Sequence, residues 1–184
     1  MLDENITEDY SNVSPWTPSI KFGVIWGLLG IVIILGQYLS GTLESSLAQE
    51  FTTLGLVFTI LGFAVAIFAV VKAILEYKSA RGNRISLGQS VSIGWRTGLI
   101  YGLISAVWTY VFYTFIFTGY EDLMRDIVMS TLEDQGHDDD TLETIADSAT
   151  MFSSPPVLAA FVIPVGIIMS AIISLIAGAF IKNE

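Results

Sequence analysis

The chain contains no cysteine and only one histidine. Without cysteine there is no disulfide, no thiol nucleophile and no cysteine-ligated zinc site. Charged side chains make up only 14% of the 184 residues, against about 25% in an average soluble domain. Basic residues are the scarcer sign, with eight against eighteen acidic ones, and the formal net charge is −10. This balance argues against a nucleic-acid partner, because such proteins need basic patches.

The few charges leave long uncharged runs in a chain that is 53% hydrophobic. A run of about 20 apolar residues spans the roughly 30 Å hydrocarbon layer of a bilayer. Four such runs predict transmembrane helices at residues 18–39, 53–77, 95–118 and 156–181. The sequence therefore predicts an all-α membrane protein, with an acidic tail at 1–17 and one four-helix membrane domain at 18–184.

Residues 119–154 form the one sizeable segment predicted to lie outside the bilayer. Apolar residues recur there at helical spacing, first at Leu123 and Ile127 and again at Leu142 and Ile145. This pattern predicts two short amphipathic helices between the third and fourth spans. The polar residues 134–137 are expected to separate them.

Small residues recur every fourth position in the third and fourth spans. On a helix this spacing places them along one face, where another backbone can approach closely. Glycine is also simply commoner in membrane helices, but repeated steps favour helix packing. The predicted packing residues are Gly94, Gly98, Gly102 and Ala106 in the third span, and Gly166, Ser170, Ser174 and Gly178 in the fourth. Pro164 lacks a backbone donor and is predicted to kink the fourth helix.

Three ionisable residues, Lys72, Glu76 and Arg96, lie nearest the hydrocarbon. Charge inside a membrane is a functional-site hypothesis by default. Here all three fall near span ends, where long side chains can reach the interface. We therefore predict interfacial anchors, an interhelical pair, or an i,i+4 pair between Lys72 and Glu76.

His137 and the following aspartates, Asp138 to Asp140, could in principle hold a metal ion. A calcium loop needs alternating oxygen ligands and a glycine turn within twelve residues, and that pattern is absent. One histidine without cysteine also fails as a zinc site. The sequence predicts a solvated acidic turn, with no metal, no cofactor and no catalytic residue.

Basic residues near span ends decide membrane orientation. With four spans, Lys21, Lys72, Lys78, Arg81, Arg84, Arg96 and Lys182 all fall on one side, and Arg125 falls on the other. Both termini are therefore expected in the cytoplasm, with residues 119–154 in the periplasm or exterior.

Four short spans, a basic second connection and the stretch from Arg81 to Ser90, running on to Gly94, resemble one known group. It is the domain-of-unknown-function family 4199, which contains small inner-membrane proteins found chiefly in Bacteroidota and their relatives. The resemblance implies a bacterial inner membrane. It implies no catalytic residue, because the family has no assigned activity.

The expected function is a non-enzymatic membrane protein that acts as an interaction or accessory subunit of a complex or homo-oligomer. Its partner would dock on the small-residue faces, on the outer amphipathic helices, or on both. The alternative is a small transporter or channel subunit, favoured by Pro164, the polar positions Ser170 and Ser174, and the acidic outer segment, which could concentrate cations. A membrane enzyme ranks third because no nucleophile–base pair is identifiable.

Overall fold

The computed structural model describes residues 13–134 and 139–183. Over these residues the chain is helical and contains no strand. The helices are α1 (Trp16–Leu39), α2 (Thr42–Leu47), α3 (Thr53–Ala80), α4 (Leu87–Val111), α5 (Tyr120–Asp134), α6 (Asp139–Ser153) and α7 (Pro155–Ile181), with one π-helical turn (Phe112–Ile116) directly after α4. By length and composition α1, α3, α7 and α4 with its π-helical turn are long and apolar enough to cross a bilayer. The prediction of four spans is confirmed.

Helix α4 lies at the centre of the bundle. It makes its most extensive contact with α7, packs next against α1, and has a smaller contact with α3. The ends of four helices meet at one end of the bundle, where Lys78 Nζ of α3 donates to the carbonyl of Ile181 in α7 at 2.8 Å. We call this the basic end, and the opposite end, which carries α5 and α6, the outer end.

The starts of the long helices follow from local capping. Thr52 accepts a hydrogen bond from Gly55 N–H at 3.0 Å and begins α3 at the predicted position. Ser86 and Gln89 form a reciprocal capping box at the start of α4. As a result α4 begins at Leu87, and residues 87–94 are part of the third span's helix rather than a separate interfacial turn.

Helix α1 begins at Trp16, two residues before the predicted start at Pro18. Trp16 N–H donates to Ser14 Oγ at 3.3 Å, and Ser19 Oγ donates to the carbonyl of Pro15 at 2.8 Å. Pro18 is tolerated in this first turn because the first four N–H groups of a helix have no intrahelical acceptor. Helix α1 therefore includes the last two residues of the segment predicted as a tail, 1–17.

The short helices meet the prediction only in part. Helices α5 and α6 lie between the third and fourth spans. Of the residues expected to separate them, 134–137, Asp134 is the last residue of α5, and 135–137 lie outside the described residues. A third short helix, α2, occupies the connection between the first and second spans, for which no helix was predicted. It starts after Gly41, whose φ of 72° permits a sharp turn, and it buries Leu43 in the outer end of the bundle.

The described core has two clusters. One lies toward the basic end and is built from small and aliphatic residues of α3, with Phe22 and Trp26 of α1 and Ile85 and Ile93 beside them. The other lies at the outer end around Phe112, which is fully buried and makes aromatic contacts with Tyr38, Trp108, Tyr113 and Phe117.

Tyr120, at the start of α5, seals this outer cluster and is 3% exposed. Burial raises the pKa of its phenol to about 12, and Tyr113 and Glu121 add to the increase. The Tyr120 hydroxyl therefore stays protonated over the physiological pH range.

Candidate functional site

The two ladders of small residues face each other along a seam between α4 and α7. A methyl group on Gly94 would lie 2.8 Å from the carbonyl oxygen of Ser170, and one on Gly102 would lie 2.9 Å from Cα of Ile163. At Gly98 it would overlap the Ser170 hydroxyl and the Gly166 carbonyl. The two backbones therefore approach too closely for any side chain at these positions.

The α7 side of the seam shows the same close contact. A methyl group on Gly166 would lie 3.0 Å from the carbonyl oxygen of Gly98, and one on Gly178 would lie 2.7 Å from Cβ of Ser90. Ser170 and Ser174 are fully buried. Their hydroxyls donate to carbonyls of their own helix, those of Ile167 at 3.0 Å and Ala171 at 2.8 Å.

Two predicted positions lie at the margin of this seam. Ala106 is half-buried, and Pro164 is exposed on α7, next to Ile163, which contacts Gly102. Helix α7 continues through Pro164 from Pro155 to Ile181. The kink at Pro164 stays a prediction.

Helix α1 packs on a second face of α4 by the same principle. Methyl groups on Gly23 and Gly27 would collide with the branched side chains of Ile100, at 2.6 Å, and Ile104, at 2.8 Å. Ser19 Oγ also lies 3.3 Å from the carbonyl oxygen of Ile93 in α4. Glycines therefore allow close packing on two faces of α4, against α7 and against α1.

The expected pair of Lys72 and Glu76 does not form among the described residues. Glu76 instead accepts a hydrogen bond from Lys21 Nζ of α1 at 2.6 Å. Lys72 is exposed and has no hydrogen-bond or ion-pair partner in the described part of the chain. The interhelical pair forms because Lys21 and Glu76 reach the same level of the bundle, which spacing along one helix cannot reveal.

Arg96 lies between two indole rings. Its guanidinium carbon is 5.2 Å from the ring centroid of Trp16 and 4.7 Å from that of Trp95, distances typical of cation–π contact. Its Nη1 donates to the carbonyl of Ser92 at 2.7 Å and also contacts Ser92 Oγ. This arrangement of arginine and tryptophan is typical of a membrane interface.

The connection between α3 and α4 is fixed by the end of α7. Asn183 Oδ1 accepts from Ile85 N–H at 3.3 Å, the Ile85 carbonyl accepts from Asn183 N–H at 3.3 Å, and Asn183 Nδ2 donates to the Asn83 carbonyl at 2.6 Å. Gly82 and Asn83 both have φ of 63°, the left-handed conformation that such a tight turn requires.

This fixed connection borders a cleft of about 600 Å³, which we call the basic cleft. Two arginines lie on its wall, and Arg81 Nη1 donates to the Tyr77 hydroxyl at 3.1 Å. The residues that line it are Arg81, Arg84, Ile85, Ser86, Gln89 and Asn183.

A second cavity, of about 310 Å³, lies inside the spans between α1, α3 and α7. We call it the crevice. Trp26 and Tyr101, whose rings stack at 3.9 Å, lie on its wall, and Gln37 and Thr59 also line it. Phe63 and Val165 border it and are 53% and 54% exposed, so it opens on the side of the bundle. The Gln37 amide makes no hydrogen bond with the described residues.

Comparison with known proteins connects this architecture to one family. The profile of the family described as "Protein of unknown function (DUF4199)" matches residues 21–183, which includes the first span from Lys21 onward, the other three spans and the basic cleft. The chain belongs to the DUF4199 family. The resemblance seen in the sequence is thereby confirmed, and the four apolar helices make this DUF4199 chain a multi-pass membrane protein. No curated protein and no solved structure matches it significantly.

In the described residues of this DUF4199 chain, no three histidine, cysteine or acidic side chains come together as metal ligands. His137 and Asp138 lie outside the described residues. The seam hydroxyls, those of Ser170 and Ser174, donate to backbone carbonyls. To act as a nucleophile, either would need a general base within hydrogen-bond reach. The seam is therefore a packing surface.

Sequence reasoning missed Lys21, Gln37 and Asn183 as site residues. Lys21 and Asn183 gain their roles from partners more than 50 and nearly 100 residues away in the chain. The sequence did mark Gln37, because an amide side chain near a span end is unusual. Nothing in the neighbouring residues indicated that a cavity lies beside it.

Proposed function

We propose that this protein is a non-enzymatic integral membrane protein that works by association, as an interaction or accessory subunit of a membrane complex or homo-oligomer. The observation that carries the proposal is the uneven burial of helix α3 along its length. Its half near the basic end is packed into the bundle, with Ala69, Val70 and Ala73 fully buried. Between Thr53 and Val65 it contributes only Gly55 to the buried residues.

The outer half of α3 presents a broad apolar surface. Leu56, Val57, Ile60 and Phe63 are each between 52% and 60% exposed. At 100° per residue, the exposed positions from Leu54 to Ala64 cover more than half of the helix circumference. Lipid tails can cover such a surface, but packing against a second helix adds van der Waals contact that lipid does not match.

The seam supports this placement by elimination. A partner was expected on the small-residue faces of α4 and α7, on the outer amphipathic helices, or on both, but Gly94, Gly98 and Gly166 already face the opposite helix inside the chain. The four-helix bundle therefore uses both ladders itself. The outer half of α3 is a long-helix surface that the described part of the chain leaves open on more than half of its circumference.

We further propose a bacterial inner membrane as the location, with both termini and the basic end in the cytoplasm. The basis is the positive-inside rule. The basic side chains come together at one end of the bundle, as shown by the contacts of Lys78 with Ile181 and of Ile85 with Asn183. Arg125 lies at the outer end, where it pairs with Asp147 at 3.1 Å.

Orientation can be tested directly because the chain has no cysteine. Single cysteines at Ser46 in α2 and at Ser79 in α3 would occupy exposed positions at opposite ends of the bundle. With an impermeant maleimide on intact cells, we expect Ser46→Cys to be labelled and Ser79→Cys to be labelled only after the cells are opened. The reverse pattern would place the termini outside.

The docking surface can be tested by position-specific crosslinking in membranes. We expect a photo-crosslinking amino acid at Ile60 to give one discrete protein adduct. The matched control is Ile168 of α7, which is 58% exposed where Ile60 is 60% exposed. We expect it to give lipid adducts without a discrete protein band.

Equal crosslinking at both positions, or none at Ile60, would contradict docking on α3. Mass spectrometry of the Ile60 adduct would separate a second copy of this chain from another subunit. A strictly monomeric protein that catalyses solute flux alone in liposomes would overturn the proposed function.

The crevice favours a small transporter or channel subunit as a second candidate. It lies at membrane depth, and Gln37 offers it an amide without a partner among the described residues. Polar groups inside a membrane mark substrate pathways more often than they are chance features. Reconstitution in liposomes tests this candidate. The purified protein should then support solute flux, and Gln37→Leu should reduce that flux.

A further inference from the structure

The basic cleft is locally positive in a strongly acidic protein. The full chain has a formal net charge of −10, yet none of the described residues that line the cleft carries a carboxylate. Arg81 and Arg84 supply two guanidinium groups, and Gln89 and Asn183 add amides. The lining therefore offers an anion several donors and no side chain of like charge.

The cleft is also preorganised. The Arg81 guanidinium stacks over the Tyr77 ring at 5.6 Å and donates one hydrogen bond to the Tyr77 hydroxyl, which leaves its other N–H groups available. The hydrogen bonds of Asn183 to Ile85 and Asn83 hold the connection on which Arg84 is mounted. An anion that binds here would not need to order the loop, a cost that weakens binding to mobile loops.

Arg84 is the residue without a structural task. It is exposed, and its side chain makes no hydrogen bond or ion pair with the described residues. Ile85 beside it is 2% exposed and anchors the chain at this point. The fold thus fixes the backbone at Arg84, while no described residue takes up any of its side-chain donors.

We propose that the basic cleft binds a phosphate group. Arginine recognises phosphate through paired hydrogen bonds from its planar guanidinium. The start of α4 borders the cleft at Ser86, and the positive end of its dipole adds to the attraction for an anion.

The cleft lies beyond Arg96 toward the basic end, on the water side of the interfacial belt. Helix α4 begins nine residues before Arg96, which corresponds to about 14 Å at 1.5 Å per residue. Arg96 and its two tryptophans occupy the interfacial belt. The phosphate can therefore belong to an anionic phospholipid or to a soluble phosphate compound, and this proposal does not depend on the protein's being an accessory subunit.

The test is thermal stabilisation of the full-length protein in a non-ionic detergent. Three probes are added separately, namely phosphatidylglycerol, phosphatidylcholine and inorganic phosphate. We expect phosphatidylglycerol to raise the unfolding temperature in a saturable way and phosphatidylcholine to have little effect. A response to inorganic phosphate as well indicates recognition of the phosphate itself, whereas a response to phosphatidylglycerol alone identifies lipid as the source.

Matched variants assign the response to the cleft. Arg84→Gln should weaken the apparent affinity about tenfold or more, because a charge-assisted hydrogen bond is lost. Lys72→Gln removes the same charge at the basic end without touching the cleft lining and should leave the affinity unchanged within about twofold. Glu184 follows Asn183 and lies outside the described residues, and Glu184→Gln should leave phosphate binding unchanged or strengthen it.

Three results would overturn the proposal. They are the absence of stabilisation by any phosphate compound, an equal loss of affinity in Arg84→Gln and Lys72→Gln, and weaker binding in Glu184→Gln. The unfolding temperature of each variant without ligand shows whether it is folded. Because Arg84 is exposed, we expect that temperature to match the parent protein.

Discussion

Gly98→Leu should destabilise the purified protein by about 3 kcal/mol or more, at or beyond the upper end of the cost of overpacking a core. Even the first carbon of the new side chain would overlap the Ser170 hydroxyl, and it would lie 2.9 Å from the backbone carbonyl carbon of Gly166. A side chain in its path could rotate away, but the backbone of α7 would have to shift as a whole. The measurement is the apparent unfolding temperature in detergent at one fixed scan rate.

Gly62→Leu is the matched control for Gly98→Leu. It is the same substitution inside a membrane helix, and a methyl group at Gly62 would have no atom within 4 Å. We expect Gly62→Leu to be neutral or slightly stabilising, because leucine has the higher helix propensity by roughly 0.5–1 kcal/mol. Equal unfolding temperatures for the two variants would show that α4 and α7 do not meet at Gly98.

Phe112→Ala should lower stability by about 2–3 kcal/mol. Phe112 is fully buried and lies at the centre of the outer aromatic cluster, where its ring meets that of Tyr38 edge-on at a centroid distance of 5.4 Å. Truncation would leave a cavity that the rigid rings around it cannot close. The expected loss is below the roughly 3–5 kcal/mol seen for buried phenylalanine in soluble cores, because lipid solvates an unfolded apolar side chain better than water does.

Phe115 supplies the control within the same π-helical turn. It is 68% exposed, and its ring contact is with Tyr110. Phe115→Ala should change the unfolding temperature little. If Phe115→Ala is as destabilising as Phe112→Ala, the cost comes from the turn itself, and the outer aromatic cluster does not stabilise this end of the bundle.

The π-helical turn shows where local sequence reasoning loses precision. The third span was expected to run as one helix from 95 to 118, but Phe117 N–H bonds to the Phe112 carbonyl at 2.8 Å, one residue further than in an α-helix. The extra residue turns Phe112 inward while Phe115 remains outside. Nothing in the periodicity of this aromatic run distinguishes those two positions.

The charged residues give a second example. Lys72 and Glu76 have the spacing of a local pair, and the sequence offered no better partner for either. Glu76 bonds to Lys21 instead because α1 and α3 cross at that level. The end of α7 likewise fixes the basic connection through Asn183, a residue with no distinguishing sequence context.

By itself the sequence determined the features that depend on composition and period. The scarcity of charge requires four long helices in a bilayer, because a lipid environment forces backbone groups to bond within each segment. A spacing of four residues requires each ladder of small residues to lie along one helix face. Family membership also follows from sequence alone.

Tertiary structure decided which faces meet. The sequence left open whether Gly94, Gly98 and Gly102 contact a partner or another span, since close packing in lipid depends on shape rather than on a hydrophobic driving force. Only the packed bundle sets the glycines of α4 against Gly166 and Ser170. This packing leaves the outer half of α3 exposed. The end of α7 lies against the connection between α3 and α4, which places Asn183 beside Arg81 and Arg84. The basic cleft joins residues that are distant in sequence, and the open face of α3 depends on which other helix faces pack together, so both exist only in the folded protein.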